Sequence, residues 1–173
     1  IKSIIFLKEN HRIKNLQLIL AAPENDHYNF LKNKYKAHDY IHFVGQTMQP
    51  LEWVGIFDVG ILPTYFPGES CPSTIIEYLS CGKPVISTNA GEIPNMIKSE
   101  NESAGIIVIE KDEQNIPNYL SFSDAILKYY SDRELLNYHA TIALKAFDKF
   151  RIEKTAQNYM NIYKNAIGKK DIT

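Results

Sequence analysis

The sequence predicts an α/β fold: a Rossmann-like parallel sheet with helices on both faces, followed by C-terminal helices. Three observations predict it. Five short apolar runs of strand length, LQLILAA, IHFVG, DVGILPT, KPVIST and GIIVIE, recur between residues 16 and 110. Segments with helical spacing separate them, and parallel neighbours need a crossover long enough to be a helix. Beyond residue 118 the apolar residues keep only the helical period, which adds a closing set of helices.

Taken in order, IKSIIFLKENHRIK (1–14) places Ile1, Ile4, Ile5 and Lys8 on one side at helical spacing. A doubly wound sheet ordinarily begins with its central strand, so either IKSIIFL is itself that strand or the first strand is absent; Lys2 and the polar KENHR continuation suit an amphipathic helix and favour absence. LQLILAA (16–22) is a strand that stops at Pro23, and PENDHYNFLKNKYKAHD is a short polar helix with Tyr28, Leu31 and Tyr35 three and four apart. IHFVG (41–45) is a strand, PLEWVGIF (50–57) a short helix, DVGILPT (58–64) a strand and STIIEYLSC a helix. KPVIST (83–88), the short helix GEIPNMIK (91–98) and the strand GIIVIE (105–110) complete the alternation. SDRE (131–134) reads as a capping box, Ser131 with Glu134, opening a helix that carries Leu135, Leu136, Ile142, Ala143, Ala146 and Phe147. A last helix from about Glu153 carries Ala156, Tyr159, Met160 and Tyr163, and GKKDIT is a frayed tail.

The 173 residues, 45% of them hydrophobic, suit one domain, 1–173, with a real core. Nineteen basic residues against 20 acidic ones leave no footprint for a phosphate backbone, so nucleic acid is not an expected partner. Cys71 and Cys81 have neither a disulfide framework nor metal-ligand spacing, and His11, His27, His38, His42 and His139 are scattered, so no metal and no cofactor is expected. No apolar run approaches the length of a membrane span, and the chain reads as cytoplasmic.

In open α/β sheets ligands bind outside the carboxyl ends of the strands, which puts residues 65–74 in the ligand region. Glu69 lies there between Gly68 and Pro72, as a solvated loop carboxylate or as a ligand-binding one. Pro72 suits a helix entrance, and Ser73 and Thr74 either cap that helix or leave its first amides free for an anion. Glu77, one turn in, either meets the helix dipole or binds a ligand. Two carboxylates flanking a helix N-terminus would accept hydrogen bonds from hydroxyls while the amides hold phosphoryl oxygens, the combination that a sugar joined to a nucleotide by a diphosphate requires.

Residues 57–97 resemble the signature region in the C-terminal, donor-binding domain of family 4 (group 1) retaining glycosyltransferases of the GT-B fold. FDVGILPT, the E-x7-E spacing of Glu69 and Glu77, SCGKPVIST and AGEIPN carry the resemblance, and the flanking segments extend it over essentially the whole chain. It implies that this chain is one half of a GT-B fold, a fragment of a larger enzyme that transfers a sugar from a nucleotide-diphosphate donor with retention of configuration. The acceptor would be a glycan, a lipid-linked precursor or a polysaccharide precursor. The resemblance assigns Glu69 to the hydroxyls of the transferred sugar, as the catalytic-site carboxylate, and Glu77 to the ribose. Donor contacts from the loop and helix start fall on Cys71, Ser73 and Thr74, since Pro72 has no amide hydrogen to donate.

Two departures stand out. The family's GGxPE-like turn reads Gly91-Glu92-Ile93-Pro94-Asn95, and the basic pair that neutralises the leaving diphosphate is not in place. Laying Lys14 on that pair would put Glu9 at the arginine, so the pair and the acceptor-binding N-terminal domain are expected to lie outside this chain. The full enzyme is then expected at the inner face of the membrane, in peripheral association. The competing reading, from another class, is a non-catalytic nucleotide-sugar-binding or interaction module of the same fold. An unrelated nucleotide enzyme is disfavoured because neither G-x-G-x-x-G nor G-x-x-x-x-G-K-[ST] occurs.

Overall fold

A computed structural model describes residues 1–11, 13–109 and 118–168. The expected end of the fifth strand at Glu110 and the tail from Lys169 lie outside these residues. The chain opens with helix α1 (Lys2–Asn10), whose buried residues are Ile4 and Leu7. Lys8, one turn after Ile4, is half-buried, lies over the Tyr40 ring and donates from Nζ to the carbonyl of Lys14 at 2.6 Å. Strand β1 (Leu18–Ala21) leads to α2 (Asp26–Lys34), which starts where the Asn25 side chain accepts the amide of Tyr28. Strand β2 (Ile41–Gly45) follows and pairs in parallel with β1, Leu18 opposite Ile41.

The second group of strands is longer in sequence reach. Helix α3 (Pro50–Gly55) precedes β3 (Gly60–Leu62), and α4 (Ser73–Ser80) connects β3 to β4 (Val85–Thr88). After α5 (Ile93–Met96) comes a small antiparallel hairpin, β5 (Lys98–Ser99) with β6 (Glu102–Ser103), and then β7 (Gly105–Val108). Strands β3, β4 and β7 are parallel neighbours in that order, Gly60 and Gly105 both facing Val85. A side chain at Gly105 would put its Cβ 2.0 Å from the Val85 carbonyl oxygen, and one at Gly60 would enter the Tyr78 ring, so close approach explains both glycines.

Successive side chains of a strand face opposite sides, and the two sides carry two cores. Val85 packs with Ile75 and Leu79 of α4 and with Ile142, Ala143 and Ala146 of α7 (Arg133–Phe147). Ile86 and Val108 pack on the other side with Ile4 and Leu7 of α1 and with Phe122, Ile126 and Tyr129 of α6 (Tyr119–Ser131). Each buried isoleucine or leucine of these layers contributes about 1.5–3 kcal/mol. Layers on both faces of parallel strands are the expected architecture, and helix α8 (Ile152–Gly168), after a 3-10 turn at Asp148–Phe150, completes the helical closing segment.

Three elements differ from the sequence reading. The β5–β6 hairpin is polar throughout, KS and ES, so no apolar alternation announced it; its turn holds Glu100 at φ 54°. Helix α7 is capped by Asp132, whose side chain accepts the Leu135 amide at 2.8 Å, while Ser131 is the last residue of α6. Asp132 has a non-helical backbone (φ −117°, ψ 88°) between the two helices, whereas Ser131 is taken up by the last turn of α6, so the aspartate caps in place of the serine one position earlier. Helix α8 forms, but Tyr159, Met160 and Tyr163 are more than half exposed. The histidines find structural partners where bonds form: His139 Nδ1 lies 2.7 Å from the buried Tyr129 hydroxyl, and burial pushes the imidazole pKa down. Among the described residues no helix is long and apolar enough to cross a membrane.

Candidate functional site

Of the loops that leave the carboxyl ends of parallel strands, the one from β3 to α4 carries Glu69 and Cys71, and Ser73, Thr74 and Glu77 follow in the helix that it opens. The loop from β3 to α4 (63–72) is fastened to its neighbours from the first residue. Ser87 and Thr88, wholly buried at the end of β4, donate their hydroxyls to the carbonyls of Leu62, at 2.6 Å, and of Thr64. Thr64 in turn accepts the Phe66 amide on its side chain, and the Tyr65 hydroxyl reaches the Val108 carbonyl at 3.4 Å. A turn through Pro67 and Gly68 closes with the Glu69 amide donating to the Phe66 carbonyl at 3.0 Å. Glu69 is thereby delivered, half-buried, at the edge of the strands.

The loop from β4 to α5 (89–92) lies directly against this one. Gly91 has φ +49°, and a Cβ there would stand 2.2 Å from the Glu69 carbonyl oxygen, so two backbones touch and only glycine fits. The next amide, of Glu92, donates to the Ser70 carbonyl at 2.8 Å. The Glu92 carboxylate accepts from the Asn95 side-chain amide at 2.9 Å.

Helix α4 begins at Ser73 with Pro72 as its N-cap residue (φ −66°, ψ 125°) and no side-chain cap. Ser73 therefore caps nothing, and its amide and that of Thr74 belong to the uncapped first turn, pointing out along the helix axis. Cys71 is exposed in front of this turn. The buried face of α4 is Ile75, Tyr78 and Leu79, which leaves Glu77 half-exposed on the flank. The Tyr78 hydroxyl donates to the Ile61 carbonyl at 3.3 Å; burial first and the Glu77 charge second push its pKa up to about 12.

Glu77 lines a groove of about 460 Å³ with Met48, Gln49, Pro50, Leu51 and Glu52 of the β2–α3 loop and the start of α3. Met48 is 91% exposed and Leu51 51%, so the groove has apolar walls, with the carboxylates of Glu52 and Glu77 in its lining. Glu69 thus keeps company with the β4–α5 loop and Glu77 with the β2–α3 loop, the uncapped start of α4 lying between them in the chain. The sequence reading missed Met48, Gln49 and Leu51; the rule that found residues 65–74, the strand's carboxyl end, applies equally to the segment after IHFVG.

A second cavity, of about 320 Å³, lies between the β5–β6 turn and the end of α7 and gathers Lys98, Lys145, Lys149 and Lys154. Its cations are largely engaged. Lys149 donates to the carbonyls of Asn95 and Lys98, Lys145 pairs with Glu102 at 3.6 Å, and Lys154 bonds Asp148. Among the described residues no three of His, Cys, Asp and Glu stand together as a metal-binding set.

Comparisons with known proteins bear on the whole arrangement. The sequence model of the group 1 glycosyl transferases matches residues 2–132. No curated protein matches the chain. Among solved structures, sucrose-phosphate synthase from Thermosynechococcus elongatus superposes with a TM-score of 0.72 at 19% identity, over 96% of this chain and 42% of that one. A glycosyltransferase from Rickettsia africae ESF-5 gives 0.73 at 18% identity, over 96% and 44%. The C-terminal domain of a group 1 family glycosyl transferase from Francisella tularensis gives 0.62 at 21%, over 87% and 76%. The chain therefore spans less than half the length of the first two and has the fold of one half of a GT-B enzyme. With three quarters of its residues under the family's own sequence pattern, from α1 to the Asp132 cap, the chain belongs to the group 1 glycosyl transferases.

Proposed function

We propose that this chain is the donor-binding, C-terminal half of a retaining glycosyltransferase, taking a nucleotide-diphosphate sugar whose glycosyl group passes to an acceptor held by the remainder of a longer protein. The observation that carries this is the uncapped N-terminus of α4 with Glu69 on the loop before it and Glu77 one turn inside it. The groove beside Glu77 takes the base between apolar walls, and the Glu77 carboxylate accepts from the ribose hydroxyls. The amides of Cys71, Ser73 and Thr74 receive the diphosphate, where a helix start supplies both donors and a favourable dipole. Glu69 accepts from the hydroxyls of the sugar and orients it.

As the bond from the anomeric carbon to the diphosphate breaks, negative charge grows on the leaving phosphate. Amides already aimed there stabilise that charge without reorganising, which is where electrostatic catalysis acts. The acceptor hydroxyl, held by the other half, bonds to the anomeric carbon with configuration retained and passes its proton to the departing phosphate oxygen. The likeness to a C-terminal domain from Francisella tularensis supports assigning this chain the C-terminal position.

Calorimetric titration with UDP, GDP, UDP-glucose and GDP-mannose tests this. One base is expected to bind in preference, and Glu77→Ala is expected to weaken it by about tenfold or more, the loss of a hydrogen bond to a charged group. Absence of binding by every ligand, or equal binding by the variant, would overturn the donor site.

A further inference from the structure

The main chain at Glu92 packs on the Glu69 loop, and its carboxylate has a support of its own. Its amide bonds the Ser70 carbonyl at 2.8 Å, and the Gly91 backbone before it touches the Glu69 carbonyl, so Glu69 and Glu92 spring from adjoining strands of main chain. Asn95, three residues on and one helical turn away, holds Oε2 of Glu92 at 2.9 Å. The carbonyl of Asn95 is itself bonded by Lys149 Nζ at 2.6 Å, which ties the supporting residue to the end of α7. The Lys149 ammonium is directed at the carbonyls of Asn95 and Lys98, and no ion pair among the described residues involves Glu69 or Glu92. Beyond its bond from Asn95, the Glu92 carboxylate therefore keeps a second oxygen, Oε1, able to accept.

We propose, resting on the donor-site reading above, that Glu92 is a specificity-determining residue that makes the sugar end of the site anionic on two sides. Glu69 accepts from one part of the sugar and Glu92, oriented by Asn95, from another. Ionised carboxylates only accept hydrogen bonds, so the pair selects a sugar presenting hydroxyl or ammonium donors. A uronate carries a carboxylate where the neutral sugar has a hydroxymethyl group, so at that position it meets like charge and offers no donor. The substrate class is a neutral or amino sugar, and uronic acid donors are rejected.

The test titrates the protein, its Glu92→Gln and Asn95→Asp variants and Glu77→Ala with the free nucleotide diphosphate, the neutral sugar ester and the uronate ester of one base: UDP, UDP-glucose and UDP-glucuronate, or GDP, GDP-mannose and GDP-mannuronate. The unaltered protein is expected to prefer the neutral ester by about tenfold, the size of one charged contact. Glu92→Gln narrows that ratio to about threefold or less while the free nucleotide binds as before, a change of half the logarithmic preference. Asn95→Asp, which sets a second negative charge against Glu92, weakens the neutral ester and spares the free nucleotide. An unchanged neutral-to-uronate ratio in Glu92→Gln, with nucleotide binding intact and sensitive to Glu77→Ala, overturns the Glu92 assignment alone. Failure of every nucleotide to bind, or indifference to Glu77→Ala, overturns the donor site and this proposal with it.

Discussion

Ser87 and Thr88 illustrate how much of the site rests on single residues that bear no chemistry. In sequence they are the polar end of a strand; in the fold they are fully buried hydroxyls whose hydrogen bonds tie the start of the Glu69 loop to β4. A buried hydroxyl needs a partner, and these two find theirs in carbonyls that the end of a strand would otherwise leave open. Gly91 does the complementary work from the other loop by having no side chain at all. Gly91→Ala is expected to destabilise by on the order of 1–2 kcal/mol through its left-handed backbone alone. The Cβ would also push the Glu69 backbone away. The expected outcome is a lower midpoint in thermal unfolding together with weaker binding of the sugar ester than of the free nucleotide. A variant as stable as the parent, with unaltered sugar binding, would show that the loop contact is not needed. The spacing of Glu69 and Glu77 was legible in the sequence because both lie on one short stretch. The contact of Glu69 with Gly91 was not, because it joins loops after different strands.

At the scale of elements, the helix starts divide into two kinds. Helices α2, α6 and α7 begin on Asn25, Asn118 and Asp132, each of which accepts an amide of its own first turn. Helix α4 begins on Pro72, which supplies no such acceptor. A sequence shows that a serine or aspartate is near a helix start, but which one caps depends on where the preceding helix stops. Ser131 is consumed by the last turn of α6, and Asp132 serves both as its C-cap and as the N-cap of α7. Asp132→Ala is expected to cost about 1 kcal/mol, lowering the thermal midpoint by about 2–4 °C for a chain of this size. Ser131→Ala is expected to leave it unchanged within error. The reverse ranking in paired melting curves would restore the capping box. The β5–β6 hairpin belongs to the same scale: two residues a side, without apolar alternation, are held by α7 through the Tyr138 hydroxyl and Lys145 on Glu102, a support no local window contains.

For the whole molecule, the two cores draw on α1 and on α3 to α7 but on neither α2 nor α8. Helix α8 keeps Ile152, Tyr159, Met160, Ile162, Tyr163 and Ile167 more than half exposed, a surface larger than scattered apolar residues explain. Apolar surface of that kind drives association, so sedimentation of this 173-residue chain at two concentrations is expected to show a concentration-dependent mass. Met160→Glu with Tyr163→Glu is expected to abolish that dependence and leave unfolding stability within about 0.5 kcal/mol, since neither side chain is in a core. Equal sedimentation at both concentrations would show that the exposed face of α8 does not self-associate.

The sequence by itself determined the fold class, because a run of four or five apolar residues between helical spacings has few other ways to bury itself. It also determined the positions of most elements and the joint neighbourhood of Glu69 and Glu77, which eight residues of chain cannot separate far. Tertiary structure alone decided that the first turn of α4 is uncapped, that the groove beside Glu77 is walled by Met48 and Leu51, and that Glu92 stands with Glu69. Each of these depends on which strand lies beside which, here β4 next to β3, and side-by-side placement is set by packing across the sheet, a distance that local patterning does not encode.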